Sequence, residues 1–346
     1  MTSVVTAIEE ATASWVTAAL AERFPDIDVQ SIRARAIGTG QMSDTYLLEL
    51  DVTSGPSSVV LKLAPQDETT RTRAASGYSA ELDFYREVSG RLSIRTPTAY
   101  LAIESEQGSR FNLLLEHIAP AIQPDQIAGT GLDVINSAAS ALAGLHAPTW
   151  CDENLWKRPW AVRFDSSTAR YLGTIYGQAM ASFEHRFAER LDAADLATIR
   201  EAGEWLEPFL INSGRSFAAT HGDYRLDNLL VTPGRGVVAV DWQTVGVGLP
   251  ARDLAYLIST SFEAAERRAH EREVIEIYQQ ALHRSGVEGY SLEECEEDYR
   301  FGLLQAPLVI VLGAAFSTAT ERGDAMFTVM GRRAAAAIRD HRRLED

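Results

Sequence analysis

The chain reads as an α+β protein in two parts, and three observations predict it. The first third carries apolar runs of strand length, among them Val59–Leu63 and Phe111–Ile118. The second half carries long stretches whose Ala, Glu, Arg and Leu spacing fits helices, at 194–211, 262–285, 291–319 and 322–343. Between the two, Leu229–Thr232 and Gly236–Val240 flank Pro233-Gly234-Arg235, which spells a short β-hairpin. At 346 residues, 46% of them hydrophobic, the chain exceeds one usual core, so two lobes are expected. The expected division is an N-terminal lobe at 1–116 and a C-terminal lobe at 117–346.

In chain order, residues 3–24 read as an amphipathic helix; Glu9 and Glu10 near its start argue against a signal peptide. The segment Ile37 to Leu47, with Gly38, Gly40 and Ser43, lies between two strand-like runs and reads as a turn. Val59–Leu63 is an apolar strand with one Lys, Lys62, inside it. Ser79 to Arg86 looks helical and carries Glu81, with Asp83 and Glu87 close by. Phe111–Ile118 is a further strand leading into a hinge, and Pro120 and Pro124 mark the loop that follows. Together these make the first lobe a leading helix, a mostly antiparallel sheet and one more helix. Ile135 to His146 reads as a helix; His146 at its end is expected to pack rather than to bind metal or act as a base. Two aromatic clusters, Trp150 to Trp160 and Tyr171 to Phe187, are open to two readings, pocket lining or core, and core is the commoner use of such residues. Leu303 to Phe316 is the most apolar stretch, but Gln305 and Pro307 interrupt it, and it falls short of the roughly 20 residues a span requires. The second lobe is thus expected to be mainly helical around the hairpin.

Charge and cysteine usage narrow the partners. A net charge of −16 argues against nonspecific binding to nucleic acid or to an anionic membrane, both of which call for clustered Lys and Arg. Cys151 and Cys295, far apart, fit a reduced cytoplasm rather than a disulfide framework. No zinc spacing occurs, and no Gly-x-x-x-x-Gly-Lys-Ser/Thr, so a P-loop enzyme is not expected.

The chemistry is concentrated in His221-Gly222-Asp223-Tyr224-Arg225-Leu226-Asp227-Asn228, followed by Asp241 at the end of Val237-Val238-Ala239-Val240. Phosphoryl transfer from MgATP needs one carboxylate to orient and deprotonate an alcohol, and an amide and a carboxylate to hold magnesium. Asp223 fits the base, and Asn228 and Asp241 fit the metal ligands. The hairpin is expected to return Asp241 to the neighbourhood of Asn228. An Asp and an Asn in one turn commonly bond only to local backbone; the third carboxylate after the hairpin is what lifts the set above that reading.

On these residues the chain resembles the aminoglycoside phosphotransferase and choline kinase-like enzymes, small-molecule kinases with the protein-kinase fold. The quoted features are His221-Gly222-Asp223, Asn228, Asp241-Trp242-Gln243 and, downstream, Asp253-Leu254-Ala255; Leu142-Ala143-Gly144-Leu145-His146 is also like the family. The resemblance covers roughly residues 30–260. It implies a two-lobed protein-kinase-like fold, a cytoplasmic ATP- and Mg-dependent enzyme, and a small-molecule hydroxyl as acceptor. It implies further that Asp253 braces the catalytic loop, and that Lys62 reaches the non-transferred phosphates while paired with a helix carboxylate. Glu81 is favoured for that pairing, with Asp83 and Glu87 as alternatives. Gly40 and Ser43 fall in the flap over the phosphates, and backbone groups around Glu116 to Ile118 are expected to read the base. Gln243, where antibiotic and choline kinases often carry Glu, resembles the ecdysteroid kinase-like branch and tilts the acceptor modestly towards a lipid, sterol or similar alcohol, with an antibiotic-like alcohol still among the expected acceptors. A nucleotide-binding pseudokinase is the alternative, and a kinase acting on protein is less favoured because His-Arg-Asp and Asp-Phe-Gly are absent.

Overall fold

The strand-length runs of the first third form one antiparallel sheet. Its members are β1 (Val29–Ala36), β2 (Asp44–Val52), β3 (Ser58–Leu63), β4 (Ala99–Glu104) and β5 (Phe111–Glu116), in the spatial order β1-β2-β3-β5-β4. The computed structural model describes residues 2–38, 42–105, 108–212 and 215–342. These fall into two compact units, one of residues 1–91, 96–120 and 241–244, the other of 92–95, 121–240 and 245–346. In the first unit β3 is the central strand, and Val59, Leu61 and Leu63 are buried on one of its faces. They pack with Leu48, Leu50 and Leu114 and with Val16 and Leu20 of the helix α1 (Ala13–Leu20). Each such leucine contributes about 1.5–3 kcal/mol on burial. The helix α2 (Glu68–Asp83) starts on the Asp67 side chain, which accepts from the Thr70 N–H, and continues into a wider turn at Phe84–Val88.

The leading helix is shorter than the 3–24 expected. Only Ala13–Leu20 is α-helical, capped by Thr12, whose hydroxyl accepts from the Trp15 N–H at 3.3 Å. Upstream, the Asn112 side chain on β5 bonds to both the N–H and the carbonyl of Val5, each at 2.8 Å, and only a short 3-10 turn, Ile8–Glu10, follows before Thr12. A sequence pattern cannot register a bond across 107 positions.

The second unit is mainly helical. Its helices are α3 (Leu132–His146), α4 (Ser166–Phe187), α5 (Ala193–Ala202), α6 (Leu206–Ile211), α7 (Ala251–Ser261), α8 (Ala264–Arg284), α9 (Leu292–Gly302), α10 (Gln305–Phe316) and α11 (Glu321–Arg342). Two strand pairs lie among them, β6 (Ala218–Thr220) with β9 (Gly246–Gly248), and the hairpin β7 (Leu229–Thr232) with β8 (Gly236–Ala239). Two expected helices are split, both by proline. Pro208 and Pro307 have no N–H for the carbonyls of Glu204 and Leu303, and their rings clash there. The breaks fall accordingly at Gly203–Trp205 and Leu303–Leu304. The run Leu292–Phe316 is nevertheless long and apolar enough, by composition, to cross a membrane, and 56% of its most apolar window is buried. Tyr171 to Phe187 proves to lie on α4. Tyr176, Met180, Phe183 and Phe187 recur at helical spacing and fill the core, whereas Tyr171 is 65% exposed.

Gly144 on α3 has a clear task. The Ser93 N–H donates to its carbonyl at 2.9 Å, and a Cβ there would sit 2.7 Å from the Ser93 carbonyl carbon and closer still to the Ile94 nitrogen. Backbone atoms cannot yield cheaply. Gly144→Ala is therefore expected to destabilise the fold by about 1–3 kcal/mol, as overpacking does, read as a lower urea midpoint; an unchanged midpoint would remove the close approach from the account.

Candidate active site

In the first unit, the site residues gather on β3 and α2. Lys62 stands on the central strand, opposite Thr45 of β2 and Leu113 of β5, and is 7% exposed. It is thus not the edge lysine that a lone Lys in a strand often is. Its ammonium donates to Glu81 Oε1 at 2.8 Å, Glu81 Oε2 at 2.6 Å and Asp241 Oδ1 at 3.0 Å. Burial opposes the charged form, but Asp241 and Glu81 outweigh it and hold the lysine above its ordinary value. Glu81 is the α2 carboxylate that meets Lys62; Asp83 pairs instead with Arg86 at 3.4 Å.

Asp241 and its neighbours are fixed against α2. The Trp242 N–H donates to Glu81 Oε1 at 3.1 Å, and the Trp242 indole stacks on Phe84 with centroids 3.9 Å apart at 10°. Gly77 makes room: a Cβ there would meet the Gln243 carbonyl oxygen at 3.2 Å. Asp241 itself adopts φ 67°, a left-handed conformation that Asp tolerates better than most residues.

The remaining predicted residues of this unit are scattered. Ser43 lies in the bend that opens β2, and Gly40 falls outside the described residues. Glu116 ends β5, where its carboxylate accepts from the Thr98 N–H at 3.1 Å and the Thr98 hydroxyl at 2.9 Å. The β3–β5 ladder ends at Val59 and Glu116, so Ile118 lies beyond the last paired residue. His117 between them bonds to the Ser58 hydroxyl at 2.8 Å, and burial lowers its affinity for a proton.

In the second unit, the loop after β6 is shaped by Asp253, in the first turn of α7 and fully buried. Its two oxygens accept from the His221 N–H at 2.6 Å and the Gly222 N–H at 2.9 Å. Gly222 has φ 80°, which turns the chain sharply before Asp223. On the far side Asp253 lies 3.3 Å from His146 Nε2, and His146 Nδ1 meets the Tyr278 hydroxyl at 2.8 Å. His146 is thus a buried packing residue, as expected. Burial works to raise the Asp253 carboxyl, but the bond from His146 and nearby positive charge hold it below its ordinary value. The His221 ring accepts from the Asp223 N–H at Nδ1 (3.3 Å), so Nε2 carries the proton and donates to the Val240 carbonyl at 3.0 Å.

Asp223 is surrounded by donors. Tyr256 O–H donates to Oδ1 at 2.9 Å, Asn228 Nδ2 to Oδ2 at 2.8 Å, and Arg225 Nε lies 3.2–3.3 Å from both oxygens. Asn228 also donates to the Asp223 carbonyl at 2.8 Å, so its amide nitrogen is committed and Oδ1 is the atom left for a cation. The hairpin pairs Leu229 with Ala239, and the Val240 N–H donates to the Asn228 carbonyl at 3.0 Å; Asp241 is the next residue along the chain.

Arg225, Asp227, Gln126 and Tyr256 were not singled out from the sequence, yet they hold this loop. Arg225 Nη1 donates to Asp227 Oδ2 at 2.8 Å, while Gln126 accepts from the Leu226 N–H and donates through its own N–H to Asp227, each at 2.9 Å. Burial disfavours the Arg225 charge, but the Asp223 and Asp227 carboxylates raise its affinity for the proton above the usual value. Arg225 and Asp227 stand inside the quoted motif, where their charge was a usable signal; Gln126, 100 residues from its partner Leu226, left none.

The model of a family described as "Phosphotransferase enzyme family" matches residues 33–291, well over half of the chain. Among solved structures, the chain is similar to choline kinase from Cryptosporidium parvum Iowa II, with 12% identity, 91% of this chain and 90% of that one covered, and a TM-score of 0.59. It is similar to the GDP complex of aminoglycoside 2'-phosphotransferase-IIIa, with 14% identity, 93% and 98% covered, and a TM-score of 0.58. A microcompartment-associated aminopropanol kinase gives 19% identity, 95% and 97% covered, and a TM-score of 0.57. At such identities the likeness is one of fold, and that fold is protein-kinase-like. A curated relative, acyl-CoA dehydrogenase family member 11 of Gallus gallus, is 22% identical over 242 residues, 67% of this chain. The match spans only 28% of that relative's length.

Proposed function

Since the chain belongs to the phosphotransferase enzyme family, we propose that it transfers the γ-phosphoryl group of ATP, with magnesium, to a hydroxyl on a lipid-, sterol- or acyl-like small molecule. The carrying observation is the Asp223 carboxylate, held by three donors on a loop that Asp253 braces. Asp223 orients the acceptor hydroxyl and takes its proton as the acceptor oxygen bonds to phosphorus and the bond to ADP breaks. Lys62, fixed by Glu81, neutralises the non-transferred phosphates. Glu116 and Ile118 offer backbone groups to the base, and Ser43 belongs to the flap. Residues 1–116 serve as the nucleotide lobe and 117–346 as the catalytic and acceptor lobe.

Asn228 and Asp241 are the magnesium ligands in this reading. Both offer hard oxygens, the donor type that magnesium prefers. Magnesium suits so sparse a set, because it keeps several waters and takes phosphate oxygens as ligands. When bound, it neutralises charge on the phosphates.

Two features support the acceptor class. Gln243 stands where antibiotic and choline kinases often carry Glu, as in the ecdysteroid kinase-like branch, and a relative 22% identical over 242 aligned residues, 28% of its length, carries an acyl-CoA dehydrogenase name. The free Cys151 and Cys295 support a cytoplasmic setting. The pseudokinase alternative is weaker, because such proteins characteristically lack one of the catalytic residues and here the set is whole.

The test is MgATP-dependent ADP release across aminoglycosides, macrolides, choline, sugars, sterols and hydroxy fatty acyl compounds, with Asp223→Ala as the blank. Release with a lipid, sterol or acyl alcohol that vanishes in the blank is expected; release confined to aminoglycosides would overturn the acceptor class, and silence throughout would favour the pseudokinase. Lys62→Ala is expected to raise the apparent KM for ATP about ten-fold or more, the scale of one lost charge-assisted contact. An unchanged KM would take Lys62 out of the nucleotide site.

A further inference from the structure

The geometry points to Tyr256 as a positioning residue that sets the orientation of the Asp223 carboxylate through one hydrogen bond, an inference that rests on Asp223 being the acceptor-orienting group. Tyr256 is three residues after Asp253 on α7, and residues so spaced share a helix face. One turn of this helix therefore controls the loop twice. Asp253 fixes the backbone at His221 and Gly222, and Tyr256 fixes the side chain that follows, through the 2.9 Å bond to Oδ1.

The other two donors cannot do this alone. Asn228 reaches Oδ2, and Arg225 presents one Nε at 3.2–3.3 Å to both oxygens while its Nη1 is drawn to Asp227 at 2.8 Å. Without the phenol, Oδ1 keeps only that long, shared contact, and the carboxylate is free to turn about its terminal torsion, which is broad and soft. The Tyr256 ring is fully buried, so its hydroxyl has no water to turn to and stays a donor to the carboxylate. Burial first, then the Asp223 charge, push this phenol well above its ordinary range, so it does not ionise in place of the aspartate. A Phe at 256 would fill the same space and lose only the donor, which makes the bond separable from the packing.

The experiment is a double-mutant cycle with Tyr256→Phe and Asp223→Ala. Three quantities are read: single-turnover hydrolysis of radiolabelled MgATP with water as acceptor, the Kd for MgATP by calorimetry, and the Tm. Tyr256→Phe is expected to slow turnover roughly ten- to a hundred-fold, the scale of one hydrogen bond to a charged group. The Kd for MgATP should stay within about two-fold, since neither group is assigned to the nucleotide. In the Asp223→Ala background the same change should cause no further slowing. Full turnover in Tyr256→Phe, with Asp223→Ala inactive, would overturn the role of Tyr256 alone. Equal slowing in both backgrounds, accompanied by a lower Tm, would make Tyr256 merely structural. Full turnover in Asp223→Ala would overturn the assignment of Asp223, and this inference with it.

Discussion

Replacing Asp223 with Asn is expected to lower turnover by about 10²–10⁴-fold, the range supplied by a positioned general base, while the Kd for MgATP changes by less than about two-fold. Asn keeps the shape and one acceptor oxygen but abolishes the charge that faces Arg225 and the proton-accepting capacity. The loss should appear in kcat and in kcat/KM for the acceptor to the same degree, because the interaction is made as the proton leaves. A calorimetric Kd and a turnover rate from the same preparation decide it. Turnover within a few-fold of the unaltered protein would show that Asp223 is not the base. Loss of nucleotide binding together with turnover would place Asp223 in the nucleotide site instead.

Replacing Asp253 with Ala is expected to cost about 3–5 kcal/mol of stability, the scale for breaking a buried charged network. The change orphans the N–H groups of His221 and Gly222 and removes the partner of the buried His146; each unsatisfied buried donor costs about 1–3 kcal/mol. The pH dependence follows from the depressed carboxyl, which the folded state holds below its ordinary value. A lowered folded value contributes stability that is fully present above the unfolded value, near 3.9, and is lost as pH falls through the folded value. The gap between the two proteins should therefore be level across neutral pH and narrow only below about pH 4. Urea titrations at pH 7 and at about pH 3 measure it. A gap under about 1 kcal/mol at pH 7 would mean that the loop holds its shape without Asp253.

Much of the architecture is legible in sequence because period and punctuation act locally. The apolar run Val59–Leu63 and the hairpin around Pro233-Gly234-Arg235 each need only neighbouring residues to declare themselves, and both stand where the pattern puts them. The helices at 194–211 and 291–319 are legible as helix but not as two pieces, although Pro208 and Pro307 were visible in the pattern. The leading helix is over-long in the sequence reading because its upstream half is held by Asn112, which no local pattern reports.

The sequence by itself determined which residue types chemistry would need, and where along the chain they stand: the Asp223, Asn228 and Asp241 set, the lysine in a strand and three carboxylates near it. Their identity is covalent, and a motif records it directly. Only the tertiary structure decided which carboxylate meets Lys62, because Glu81, Asp83 and Glu87 lie within two helical turns and differ only in the direction each faces. It also decided that Tyr256 and Gln126 hold the loop around Asp223, since both reach it across long stretches of chain. Such contacts are made by burial and helix packing, which sum weak interactions over many distant residues and so leave no mark at any single position.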